Sequence, residues 1–274
     1  MEAIVEAWVS VLPPEILPKS HRAFPTVEDW NSVRISLVRT GCFGSCPSYE
    51  VEIRGDGIVT YTGKRDVAVS GIHQGTISRQ AVERLVTQFR DADFFSFDGR
   101  YTSNFSDGTT YTISISIDGQ THSVIDYDGP RVGMPLVISR LERAVDEYSG
   151  AQRWVRGDHE TVPSLRAEGF DFKSEAAGLV LTAAAGRGDV DAVRDLIQAS
   201  APLEVKGLGM FDHDPPLRAA VTNPDPEVLR LLVEAGASKD DAAAKNAAAD
   251  LAKRIDRPDI LEMLLRYGAQ LRVN

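Results

Sequence analysis

The sequence predicts an α+β N-terminal domain, an antiparallel sheet with two helices, followed by an all-α solenoid of repeated helical pairs. Three observations carry this expectation. Apolar residues alternate with period two from Ser32 to about Ile125. Beyond Ser149 the alternation stops and alanine becomes abundant. Three segments of the C-terminal third then align on one another without gaps over a helical pattern.

The strands come first. Val33-Arg34-Ile35-Ser36-Leu37-Val38 and Tyr49-Glu50-Val51-Glu52-Ile53-Arg54 each place apolar side chains on one face. Asp56-Gly57 follows, then Ile58-Val59-Thr60-Tyr61-Thr62-Gly63, a hairpin signal because such turns favour residues that tolerate positive φ. Thr110 to Ile117, Asp118-Gly119 and Thr121 to Ile125 form a second, clearer hairpin. The polar face of these strands, rich in Ser and Thr, is expected to stay wet.

Two helices interrupt the strands. Ser78 is an N-cap for a helix to Phe89, with Val82, Leu85, Val86 and Phe89 on one face. The second runs from about Pro135 to Tyr148, with Leu136, Ile138, Leu141, Val145 and Tyr148 apolar. The expected division is an extension over 1–31, the α+β domain over 32–149, a degenerate capping repeat over 150–178 and three repeats over 179–274.

In the repeated part, Gly188 to Ala201, Pro224 to Ala237 and Asp256 to Ala269 match in phase. Each opens with an acidic residue in its first turn (Asp191, Glu227, Asp259), which the helix dipole favours. Pro226 and Pro258 sit where a missing N–H costs nothing. Gly236 and Gly268 stand where a helix ends in positive φ. Pro215-Pro216-Leu217-Arg218-Ala219-Ala220 resembles the ankyrin Thr-Pro-Leu-His-x-Ala signature. The resemblance implies a stack of helical pairs, Leu165, Leu196, Leu232 and Leu264 in one buried ladder, and a concave groove that binds another protein. Position in the fingers of such a stack nominates Phe211, Asp212, His213, Asp214, Lys239 and Asp240 as partner contacts.

Gly41-Cys42-Phe43-Gly44-Ser45-Cys46-Pro47-Ser48-Tyr49, with the Asp56-Gly57 hairpin and Tyr61-Thr62-Gly63, resembles an uncharacterised bacterial family, domain of unknown function 6438, over roughly Ser32 to Ser149. The resemblance implies domain limits and no activity. Cys42 and Cys46, the two cysteines of the chain, admit several states: a disulfide clipping the turn, two reduced thiols, a redox pair or half of a metal site. The spacing is one residue longer than Cys-x-x-Cys and no helix follows, which argues against a redox pair. No spaced partners complete a metal site.

His73, His122 and Asp126 lie in or near strands, and a His–Asp pair suits acid–base work. No nucleophile elbow or phosphate loop accompanies them, so no catalytic residue, metal or cofactor is expected. Tyr101, Asp107 and Asp126-Tyr127-Asp128 near the second hairpin are read as loop surface, with the lining of a polar cleft as the alternative, and Asp158-His159-Glu160 as a solvated loop. Net charge is −10, with 14 basic against 20 acidic residues through Ser149 and 16 against 20 beyond it. Neither half carries the basic field that nucleic acid demands. No apolar run reaches the roughly 18 residues of a membrane span.

The expected function is therefore a non-catalytic protein–protein interaction module with an unidentified protein partner. The alternative is a thiol-dependent redox enzyme or sensor using Cys42 and Cys46, with the repeats as targeting. Lack of a leader pattern points to the cytoplasm, and a leader missing from this chain would make the periplasm the compartment.

Overall fold

The computed structural model describes residues 21–205 and 215–271. It divides into two compact units. The first takes in the described residues through Asp66 and then Gly71–Gln152; the second takes in Val67–Ser70 and the described residues from Arg153 onward.

The first unit is built on seven strands: β1 Arg34–Arg39, β2 Ser48–Arg54, β3 Ile58–Arg65, β4 Gly71–Thr76, β5 Arg100–Thr102, β6 Thr110–Ile117 and β7 Gln120–Tyr127. They lie in the order β4-β3-β2-β1-β6-β7-β5. The sheet is mixed, which corrects the antiparallel expectation. β5 runs parallel to β7, while the other neighbours in that order are antiparallel. β5 escaped notice because three residues are too short to alternate. β4, Gly-Ile-His-Gln-Gly-Thr, leaves its one large apolar side chain, Ile72, exposed.

Alternation explains the core. Ile35, Leu37, Val51, Ile53, Val59, Ile113, Ile115, Ile117 and Val124 are fully buried on one face. The other face is polar, with Ser36 and Ser114 hydroxyls 2.6 Å apart. The β6–β7 turn has positive φ at both Asp118 and Gly119, the geometry its sequence foretold. Asp118 also accepts from the amides of Glu28 and Asp29 and from the Ser32 hydroxyl, tying the chain before β1 to the sheet.

Helix α1, Arg79–Asp91, starts at Ser78, whose hydroxyl accepts from Ala81. Helix α2, Leu136–Ser149, packs on β1, β2 and β6, and on α1. Ile138, Leu141 and Val145 carry that contact, whereas Leu136, expected on the apolar face, is 62% exposed at the helix start.

The second unit contains α3 Gln152–Val155, α4 Thr161–Ala167, α5 Glu175–Arg187, α6 Val190–Gln198, α7 Pro216–Ala219, α8 Glu227–Ala235, α9 Ala242–Arg254 and α10 Pro258–Arg266. Helices α4, α6 and α8 pack in sequence, as do α5, α7 and α9, and α10 packs on α9. Leu165, Leu196, Leu232 and Leu264 are fully buried. The helical character stands, but an ankyrin solenoid is not indicated, which corrects that expectation. Its signature segment forms only the single turn α7 and a 3-10 turn, Ala220–Thr222, between thirteen-residue helices α5 and α9. Pro215-Pro216 removes two donors at its start, and the residue before Pro224 is forced out of helix, so the segment has no room to grow. The leading segment likewise breaks into α3 and α4, of four and seven residues.

Candidate functional site

Two residues beyond the apolar core row, on the same face, the register sets a polar row across the sheet. Tyr101 of β5 lies opposite Asp126 of β7, Asp126 opposite Tyr111 of β6, Tyr111 opposite Arg39 of β1, and Arg39 opposite Tyr49 of β2. Helix α2 brings Glu142 and Asp146, one turn apart, to this end of the unit.

The hydroxyl of Tyr49 donates to the Asp146 carboxylate, 2.7 and 2.8 Å from its two oxygens. Asp126 accepts from the Gly129 amide at 2.7 Å. The Arg39 guanidinium lies over the Tyr111 ring, 5.3 Å from its centre. Glu142 is only 6% exposed, and its Oε1 has no hydrogen-bond partner among the described residues; the same holds for Nε of Arg39.

Burial governs the protonation of this cluster. Glu142 is pushed up to about 8, first by desolvation and then by the charges of Asp126 and Asp146. Burial also raises Asp126, against the opposing effect of the Gly129 amide. Tyr49 and Tyr61 are held far above the ordinary phenol range by burial and by Asp146. Tyr111 is raised by burial, with Arg39 opposing. The result is a Glu142 carboxyl that keeps its proton at neutral pH, beside the carboxyl groups of Asp126 and Asp146.

The loop from Thr40 to Pro47 joins the two strands at Arg39 and Tyr49. Cys42 and Cys46 are bonded within it as a disulfide, with Cα atoms 5.4 Å apart. Of the states the sequence left open, the structure has the disulfide. Phe43 at the tip is 89% exposed, and its amide donates to the Asp107 carbonyl at 3.3 Å.

Of the residues nominated from sequence, Asp126 and Tyr101 fall in the row. His122 does not pair with Asp126. It lies against Phe94 and Phe95, and burial lowers its basicity. His73 is buried on β4 with its ring 6.3 Å from that of Tyr61. Asp128 pairs with Arg131 at 2.8 Å and accepts from Ser103. His159 and Glu160 form an exposed pair. Lys239 and Asp240 are exposed on the turn after α8. Phe211, Asp212, His213 and Asp214 lie outside the described residues. No group of acidic, Cys or His side chains among the described residues is arranged to hold a metal ion.

Sequence reasoning missed Arg39, Tyr49, Tyr111, Glu142 and Asp146. One signal was available. Glu142 falls on the helical stripe of Ile138, Leu141 and Val145, where a carboxyl is out of place.

The fold and site define an α+β unit with a buried acid cluster, continued by a helical unit. The model of a family described as Domain of unknown function (DUF6438) matches residues 33–149, from the residue before β1 to the end of α2. That match leaves the C-terminal half, and its ankyrin resemblance, unsupported. No curated protein matches the chain. Among the described residues no helix is long and apolar enough to cross a membrane.

Proposed function

We propose that this chain is a non-catalytic interaction protein whose helical unit docks a protein partner. One observation carries the reading. Leu165, Leu196, Leu232 and Leu264 are spent on the core of the helical unit, yet α8 and α10 keep an open groove lined by Val233, Asp259, Glu262, Met263, Arg266 and Tyr267. Outside the groove, Leu265 and Ile255 are also apolar and exposed, at 42% and 41%. An apolar floor rimmed by charge is the make-up of a protein contact surface. Lys239 and Asp240 project from the turn that follows α8 and belong to the same proposal.

The test uses the full chain with a photo-crosslinking side chain at position 263, and the same side chain at half-buried Thr60, on the polar face of the sheet, as a control. A single discrete adduct in cells of the source, formed at 263, absent at 60 and abolished by Val233→Glu, is expected. Equal labelling at both positions rejects the reading.

The disulfide favours a second reading, a thiol-dependent redox protein. Cys42 and Cys46 sit in a surface loop, and a disulfide suits an oxidising compartment. Titrating thiols in the native protein against a series of dithiol buffers separates the two readings. A pair that stays bonded until the protein unfolds removes the redox role.

A further inference from the structure

Glu142 is the one carboxyl of the acid cluster with an oxygen that is buried and lacks a partner among the described residues. Its surroundings are specific. Asp146 stands one turn further along the same helix and is held by Tyr49 of β2. Asp126 of β7, with Tyr111 of β6, lies in the row that crosses the sheet. Arg39 of β1 sits over Tyr111, and Tyr61 of β3 feels Asp146. On the α1 side, Gln88 donates to the Tyr148 hydroxyl at 3.2 Å. Two carboxylates therefore flank Glu142, while Arg39 makes no ion pair with it.

The helix is also held unevenly. Its C-terminal half is anchored by the Asp146–Tyr49 bond and ends at Gly150 in a left-handed cap. Its start, at Pro135, has no side-chain cap, and Leu136 is exposed. The first two turns are thus the cheaper end to lift.

We propose that Glu142 makes α2 a proton-controlled latch, neutral while the helix is seated on β1, β2 and β6 and ionised when its N-terminal half lifts away. The carboxyl loses its proton to water or buffer base as Ile138 and Leu141 leave the sheet. Reprotonation on reseating restores the closed form. A charged Glu142 in the closed form would be a third negative charge with no partner, which is the physical reason the two events are tied.

The direction in pH follows from linkage. The seated form keeps its proton up to about pH 8, whereas a free glutamate loses it near 4.5. The lifted population therefore grows across that window, by about tenfold per pH unit at most, and levels off above it.

Hydrogen exchange on the full chain between pH 5 and 9.5, corrected for the intrinsic rate, tests this. Protection of residues 136–142 is expected to fall with pH and level off near pH 8, and to stay well below that of β6 at every pH, since β6 exchanges only when the whole unit unfolds. Glu142→Gln should remove the pH dependence. Asp126→Asn keeps an acceptor for Gly129 but removes one flanking charge, so it should move the levelling point to lower pH. A flat wild-type profile, or an E142Q profile that falls like the wild type, overturns the proposal. Should E142Q not fold, D126N decides, and an unmoved levelling point overturns it.

Discussion

The phenol of Tyr49, on the second strand, donates to both oxygens of the Asp146 carboxylate on α2 at 2.7 to 2.8 Å, across 97 residues of sequence. It is a sheet-to-helix bond with a charged acceptor, and the phenol end is buried. Such bonds carry more than neutral ones. Tyr49→Phe is expected to destabilise the first unit by about 1.5–3 kcal/mol. Urea unfolding followed by far-ultraviolet dichroism measures it, and a loss indistinguishable from zero would show that the bond exchanges freely with water.

Glu142 should cost the fold stability as pH rises. Its pKa is raised in the folded state, so the proton it holds adds stability that is complete below about 4.5 and is lost as pH climbs to about 8. Glu142→Met removes a buried polar group without a partner and keeps the volume. At pH 8 the variant is expected to exceed wild type by about 1–3 kcal/mol. At pH 5 the gap should shrink. Denaturant midpoints at the two pH values check this, and a pH-independent gap would assign the effect to packing alone.

Cys42 and Cys46 close a loop with a sequence separation of four. A loop that short restricts the unfolded chain modestly, by about 2 kcal/mol on the loop-closure model. The double variant Cys42→Ser, Cys46→Ser is expected to lose about that much, without loss of fold. Wild type in reductant should match it. A loss several times larger would mean that the loop organises the Arg39–Tyr49 end of the sheet in the folded state.

Val67–Ser70 belongs to the second unit although it lies between β3 and β4. Ala68 donates to the Val155 carbonyl at 2.8 Å and Val69 to that of Trp154 at 2.9 Å. A fragment spanning 153–274 lacks both donors. Its amides in Thr161–Ala167 are expected to exchange faster than in the whole chain. Equal protection would show that the helices need nothing from the β3–β4 connection.

Asn223 is buried in the second unit, where its side-chain amide donates to the Ala185 and Ala220 carbonyls and its own carbonyl accepts from Arg257. It joins the ends of three helical segments. Asn223→Ala removes both side-chain bonds while each carbonyl keeps a backbone donor, and a loss of about 0.5–1.5 kcal/mol is expected in thermal or urea unfolding. Asn223→Asp should be worse, since it replaces the donor with a charge.

Local pattern was enough to place most elements. The alternation around Ile35, Val51 and Ile113 and the Asp118-Gly119 turn gave five strands, and Ser78 marked the start of α1, because each of these is decided within a few residues. The repeated leucine stripe likewise located helices α6, α8 and α10. What the sequence could not decide was anything set by register between distant segments. Asp126, Tyr111, Arg39 and Tyr49 share a row only because two strand pairs far apart in the chain, β1–β2 and β6–β7, join through β1 and β6 with one particular offset. Glu142 becomes a neutral acid only because α2 lays it on the sheet, away from water. The β5 pairing is parallel because a three-residue segment borrows its order from β7 and has none of its own. In the helical half, in-phase repetition suggested a regular stack, but chain direction at Pro215-Pro216 and Pro224 left a single turn where a full helix was expected. Composition and periodicity thus fix which faces are apolar; long-range pairing fixes which polar groups those faces trap, and with them the protons they hold.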